Sequence, residues 1–270
     1  MLKKINSAHF FWLCPLLYWS CSPKLTSQKN DIATLKVMTY NIHHANPPSK
    51  KDLIDLDAIA RVINAEKPDV VGLQEVDHLT KRSGNVDEAK VLAEKTGLYY
   101  HFFKAIDHDG GDYGVAILSR YPLNDAVSVA LPQTIKAEER VLGFASLRIN
   151  RNLTLTFANT HLDATKLDSN RIVQMKAILS RLEKNNGPVI LVGDLNCEAK
   201  AQPIQLLDQQ FKRSCTVDCA PTIPQNAPRK TIDYIALKNA DWQVVSHQVI
   251  AETYASDHRP VVAIYALKSN

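Results

Sequence analysis

Val189-Ile190-Leu191-Val192-Gly193-Asp194-Leu195-Asn196 opens on four apolar residues and closes on a glycine, an acid and an amide. The first half has the branched composition of a short strand. In the second half Asp194 and Asn196 flank Leu195, so an extended segment turns both polar side chains to one face and packs Leu195 on the other. A plain turn after a strand uses Gly193-Asp194 equally well, and the stretch by itself supports either.

The same arrangement recurs along the chain. Strand-like runs are Leu35–Tyr40, Val70–Leu73, Val115–Ser119, Val141–Ile149, Leu153–Asn159, Val189–Val192, Ile232–Leu237 and Val261–Leu267. Helical spacing is seen in Leu56-Ile59-Ala60-Ile63, in Val91-Leu92-Lys95 and in Ile172-Met175-Ile178-Leu179-Leu182. Asp168 or Ser169 is the candidate N-cap of the last, and Gly187-Pro188 its stop. Some strands are joined by helical crossovers, while Arg151-Asn152 joins two of them as a hairpin; a mixed α/β sandwich accommodates both. Four runs end in a polar cluster (Asn41-Ile42-His43-His44, Gln74-Glu75, Asn159-Thr160-His161-Leu162-Asp163, Gly193-Asp194-Leu195-Asn196), and two begin with one (Thr231-Ile232-Asp233-Tyr234, Ser256-Asp257-His258-Arg259-Pro260). Ends of strands running up and starts of strands running down share one rim of a sheet, so all six clusters can converge on one mouth carried by a rigid scaffold.

These segments, with Thr39-Tyr40-Asn41 and Tyr113-Gly114-Val115-Ala116-Ile117-Leu118-Ser119-Arg120-Tyr121-Pro122, resemble the endonuclease/exonuclease/phosphatase superfamily in order and spacing over residues 35–267. The resemblance implies a four-layered α/β sandwich, two mixed β-sheets packed face to face and flanked by helices. It implies a metal-dependent hydrolase of phosphoester or phosphodiester bonds, with water attacking phosphorus in line. Asn41 and Glu75 match the family's metal ligands, with Asp257 contributing in some members; oxygen donors of this kind suit Mg²⁺, or Mn²⁺. His161, Asp194, Asn196, Asp233 and His258 match its catalytic positions. Asp194 and Asn196 orient or deprotonate the attacking water and hold a phosphate oxygen. Asp233 orients the His258 ring, and either Asp194 or His258 serves as general base.

One departure is His43-His44, where nuclease branches often carry an acid two residues after the asparagine. His43 is a candidate for substrate binding or a second metal site, with packing the plainer alternative. Arg82, Asp112 and Arg140 are candidate substrate contacts, because guanidinium pairs bidentately with phosphate; surface solvation is the plainer reading of each. Specificity is expected in the loops Arg82–Glu88, Asp107–Tyr113 and Ala199–Asp208.

At 270 residues, 45% hydrophobic and 22% charged, the chain suits one globular domain, assigned to residues 35–270. Lys3 and Lys4 precede the apolar run Phe10–Trp19, the outline of a signal peptide too short for a span of ~20 apolar residues. Ser20-Cys21 after that run resembles the lipobox of bacterial lipoproteins. Ordinary cleavage near Ser20–Ser22 and an uncleaved anchor are the alternatives. Residues 1–21 are therefore read as a signal peptide and 22–34 as a tether. The expected product is an exported lipoprotein, periplasmic or at the cell surface, attached to membrane through Cys21. The net charge of +4 falls to +2 without Lys3 and Lys4. Proteins that grip nucleic acid through its phosphates usually carry much more positive charge. A small phosphorylated molecule or a lipid head group is the expected partner, a secreted nuclease the alternative and a catalytically silent binding protein a more remote one; a monomer is the expected state. Of the remaining cysteines, Cys215 and Cys219 can pair across a three-residue loop, leaving Cys197 free, or stay reduced.

Overall fold

The computed structural model of the chain describes Met1 and residues 33–268. The expected signal peptide with Cys21, and nearly all of the expected tether, lie outside the described residues. The elements are, in order, β1 (Thr34–Asn41), α1 (Leu56–Glu66), β2 (Val70–His78), α2 (Glu88–Thr96), β3 (Tyr99–His108), β4 (Gly111–Ser119), β5 (Leu123–Ala130), β6 (Val141–Arg148), β7 (Thr154–His161), α3 (Ser169–Glu183), β8 (Val189–Asp194), α4 (Gln202–Asp208), β9 (Lys212–Arg213), β10 (Asp233–Lys238), β11 (Gln243–Val249) and β12 (Val261–Ala266). They build two six-stranded sheets, ordered β11-β12-β1-β2-β4-β3 and β5-β6-β7-β8-β10-β9. Each sheet is mixed, with one parallel pair, β1/β2 or β7/β8, and antiparallel neighbours otherwise.

Alternation along the strands explains the layers. On β1, Leu35 and Val37 face the opposite sheet, where they meet Phe157, Ile190, Val192 and Ile235. Met38 and Tyr40 face outward, onto Ile59 and Ile63 of α1 and Leu92 of α2. The second sheet does the same, laying Leu142, Ala158 and Leu191 against Met175, Ile178 and Leu182 of α3 and Ile204 and Leu207 of α4. The result is helices, sheet, sheet, helices: the expected four-layered sandwich. Each such side chain contributes ~1.5–3 kcal/mol on full burial. No helix among the described residues is long and apolar enough to cross a membrane.

Local signals set the helix ends. Asp55 accepts from Ala58 N at 2.9 Å at the start of α1, and Asp87 from Lys90 N at 3.0 Å at the start of α2. Such caps are each worth ~0.5–2 kcal/mol. Asp168 precedes α3 as expected, but its carboxylate is drawn to the Arg171 guanidinium, at 2.5 and 2.9 Å, instead of capping the backbone.

Two expected loops are ordered elements. Ala199–Asp208 contains α4, and Asp107–Tyr113 is the turn of the β3–β4 hairpin. Cys215 and Cys219 form a disulfide, and Cys197 is buried and free.

Candidate functional site

The inward rows of four central strands change character toward one rim. β1 reads Leu35, Val37, Thr39, Asn41; β7 reads Leu155, Phe157, Asn159, His161; β8 reads Ile190, Val192, Asp194; and β10, running the other way, reads Leu237, Ile235, Asp233. Register brings the polar ends level, pairing Asn41 with Gln74, His161 with Asp194 and Asp194 with Asp233. Thr39 lies opposite Val261, so the segment carrying Asp257 and His258 enters β12 at the same rim. The six clusters therefore share one mouth, at the top of the layer between the sheets.

Below this mouth the sheets are locked by polar contacts. Asn159 donates to the carbonyls of Leu73 and Ala116, both at 2.8 Å, and accepts from Gln74 Nε2 at 2.7 Å; Gln74 also donates to Thr39 Oγ1 at 3.0 Å. Close approach is needed here, since a Cβ on Gly72 would lie 2.3 Å from Val192 and 2.9 Å from Asn159. Gly193 likewise has φ +152°, and its Cβ would fall 2.0 Å from the Thr160 carbonyl oxygen, so only glycine delivers Asp194 to this point.

Glu75 does not end its strand. The β2–β4 register shifts between Leu73 and Val76, and Glu75 sits in that bulge with φ +56°, which turns its side chain into the mouth. Asn41 bridges the two halves of the site: its Nδ2 donates to Glu75 Oε1 at 2.9 Å and to Asp194 Oδ2 at 3.1 Å, while its Oδ1 accepts from His43 N. Ser256 Oγ holds the Asn41 carbonyl at 2.7 Å and touches Asp257 Oδ1 at 3.4 Å. Burial raises the Glu75 carboxyl above its usual range and Asp257 adds to the rise, with the Asn41 hydrogen bond opposing it.

The other half is an acid–imidazole relay. His258 Nδ1 lies 2.9 Å from Asp233 Oδ2, and its Nε2 lies 3.6 Å from Asp194 Oδ2. Burial works against charge on His258, but the Asp233 and Asp194 carboxylates outweigh it and push the ring up to about 10. Burial and Asp233 together raise Asp194 to about 7, against the pull of His258. His161 is different. Its Nδ1 faces Arg140 Nη1 at 3.1 Å, and guanidinium can only donate, so Nδ1 accepts and the ring proton sits on Nε2. Burial, then Arg140 and His258, hold its pKa well below the usual value, so His161 is a neutral donor whose Nε2 faces Asp194 Oδ2 at 3.5 Å. Asn196 is not in the extended segment that alternation suggests. It has φ +49°, its N–H turns back to Asp194 Oδ1 at 2.9 Å, and its amide donates to Leu162 O at 3.0 Å. Leu195 nonetheless packs away from the mouth, into the α3–α4 layer.

Both arginines are paired, and Arg140 is also withdrawn from solvent. Arg140 is 7% exposed and bound to Glu138 at 2.7 Å as well as to His161. Arg82, half exposed, forks onto the buried Asp77 carboxylate at 2.7 and 2.8 Å. Asp112 pairs with Lys104 at 2.7 Å, away from the clustered acids. Four residues with no role suggested by the sequence complete the surroundings: Gln74 and Asn159 as the inter-sheet lock, Ser256 beneath Asn41, and Tyr113, whose hydroxyl feels both Glu75 and Arg140. Gln74, Asn159, Ser256 and Tyr113 all stand inside the recognised segments, and that adjacency is their only sequence signal.

Residues 38–258 match the profile of the endonuclease/exonuclease/phosphatase family. The chain belongs to this family. Family members are typically hydrolases acting on phosphoester bonds. No curated protein matches the chain in sequence. Among solved structures, an endonuclease/exonuclease/phosphatase from Beutenbergia cavernae is 25% identical, with a TM-score of 0.72 over 87% of this chain and 72% of that one. A mannosyl-6-phosphatase from Bacteroides thetaiotaomicron is 18% identical (TM-score 0.69, 85% of this chain and 98% of that one). The human Nocturnin catalytic domain with a bound sulfate anion is 23% identical (TM-score 0.69, 86% and 94%). These last two share the fold with this member of the family.

Proposed function

We propose that this chain hydrolyses a phosphoester or phosphodiester bond of a small or lipid-linked substrate, by in-line attack of water at a divalent-metal centre. The observation that carries the proposal is the placement, around Asp194, of two buried histidines with opposite neighbours: His161 facing the Arg140 guanidinium and His258 bonded to the Asp233 carboxylate.

The donor set fits a hard cation. Two carboxylates, the half-buried Glu75 and the buried Asp194, are spanned by the Asn41 amide NH₂, an uncharged group standing where their charge calls for a positive one. Asn41, Glu75 and Asp257 would hold Mg²⁺ or Mn²⁺, which when bound neutralises phosphoryl and leaving-group oxygens. The chain's own groups supply the rest. Asp194, raised to about 7, is matched to accept the proton of the attacking water near neutrality. His161 Nε2–H, the His258 imidazolium and the Asn196 amide are fixed donors for the charge that grows on the phosphoryl oxygens. Asp233 carries no part of that charge and keeps the His258 ring in place.

A small substrate is favoured over a nucleic acid because the arginines near the mouth are already matched, Arg82 by Asp77 and Arg140 by Glu138, leaving little free positive charge to follow a polyanion. The phosphatase named among the structural neighbours is in keeping with this. Export and attachment through Cys21 belong to the same proposal and rest on the sequence of residues 1–21. The test is turnover of p-nitrophenyl phosphate, its bis-ester and plasmid DNA by purified protein, with EDTA and then with Mg²⁺ or Mn²⁺ restored. The small esters should turn over only with metal, and Glu75→Ala should abolish this. Smeared plasmid would favour the nuclease, and turnover unaffected by EDTA and by Glu75→Ala would sink the proposal.

A further inference from the structure

We propose a second, nitrogen-rich metal site made by His43, His44 and Glu75, suited to a transition metal and not to Mg²⁺. One ligating atom from each of the three residues lies within 4.8 Å of the others, so an ion at ~2.0–2.2 Å from each would draw the three side chains together. The two rings stand with centroids 4.5 Å apart.

Three observations separate this cluster from packing. His43 Nδ1 lies 2.8 Å from the Asn46 carbonyl, which makes Nδ1 the protonated nitrogen and leaves Nε2 a free lone pair. Metal-ligating histidines are typically supported this way, by a carbonyl on the other ring nitrogen. His44 Nδ1 is buried without any hydrogen-bond partner, an orphan that packing does not require. Finally, His43, His44 and Ala45 have φ of +49°, +41° and +51°, and Glu75 has +56°. Such conformations cost ~1–3 kcal/mol each for non-glycine residues and persist where the surroundings enforce a particular geometry. The charge of Arg82, which faces His44, is met by its fork onto Asp77.

Two imidazoles and a carboxylate form a donor set for Mn²⁺, Fe²⁺, Co²⁺ or Zn²⁺, whereas Asn41, Glu75 and Asp257 offer oxygen alone. Glu75 therefore stands between two positions of different hardness. A three-ligand site also leaves coordination positions open to water or to a substrate oxygen.

The site is tested with Co²⁺ as the probe, titrated into the full chain in the presence of excess Mg²⁺, reading visible d–d absorption. His43→Asn and His44→Asn are the variants, because asparagine tolerates a left-handed backbone while removing the imidazole; far-ultraviolet circular dichroism reports their folding. Wild type should bind one Co²⁺ that Mg²⁺ does not displace. Each variant should bind at least ~10–100-fold more weakly, the range reached by losing even a supporting residue of a metal site. Equal Co²⁺ spectra and affinities in wild type and both folded variants, or displacement of Co²⁺ by Mg²⁺, would overturn the proposal. The readout needs no turnover, so phosphoesterase activity without a Co²⁺ signal defeats this site alone, and a Co²⁺ signal without activity defeats the catalytic proposal alone.

Discussion

Replacing Asn159 with alanine removes the side chain that ties the two sheets together directly under the mouth. Three hydrogen bonds go: two donated to the Leu73 and Ala116 carbonyls at 2.8 Å, and one accepted from Gln74 at 2.7 Å. Gln74 keeps Thr39 Oγ1 and Gly72 O, so its loss is small. The two carbonyls lie where no water reaches, and a buried acceptor left unmet costs ~1–3 kcal/mol, which places the expected destabilisation at about 2–6 kcal/mol. For a domain of this size 1 kcal/mol moves the melting temperature by roughly 2–4 °C, so a fall of at least about 4 °C is expected. Urea denaturation of wild type and variant, with the m-value compared, measures the loss. A loss below about 1 kcal/mol at unchanged m would refute the view that this asparagine is the inter-sheet lock. The variant that survives folding should also be slow, because Gln74 precedes Glu75 and Asn159 lies one inward position below His161 on its strand.

His161→Ala should lower kcat by ~10²–10³, the usual cost of one transition-state donor, with a smaller effect on KM; an unchanged kcat would remove His161 from the chemistry. Glu88 is buried, with Oε2 accepting from Asp77 N and Oε1 unpartnered, and burial raises its carboxyl well above the usual range. The folded state thus holds this proton to higher pH than the unfolded chain, so its contribution falls as pH rises from about 4.5 toward the raised folded value. Glu88→Gln should flatten that part of the stability profile, and unfolding at pH 5 and pH 8 with the same slope as wild type would show the carboxyl is not the cause. Gly193→Ala should destabilise by ~1–3 kcal/mol through the clash with the Thr160 carbonyl, and displace Asp194; a variant with wild-type melting and activity would count against the close approach.

The strands visible in the sequence and those that are not differ by position. The eight expected runs became the inner strands of both sheets, which are buried on both faces and so read as continuous apolar stretches. The four unexpected ones, β3, β5, β9 and β11, are the four sheet edges. Three of them carry register shifts, at Lys104/Ile106, Asn124/Val127 and Val244/Ser246, and their half-exposed faces mix polar and apolar residues without clean alternation. The convergence of the site was legible because strand direction alone puts Asn41, His161, Asp194, Asp233 and His258 at one rim. What composition could not reveal was the direction of individual side chains: the bulge that aims Glu75, the left-handed turn of Asn196, and the pairing that takes Arg140 out of solvent and onto His161.

The direction of β1 sets the end of the body at which the chain enters it. Thr34 and Asn41 are its two ends, roughly 23 Å apart at ~3.3 Å per residue, and the mouth is at the Asn41 end. Anything fastened to the chain before Thr34 is thus fastened at the foot of the sandwich. The mouth stands at the other end of the same strand, one strand length from that attachment point.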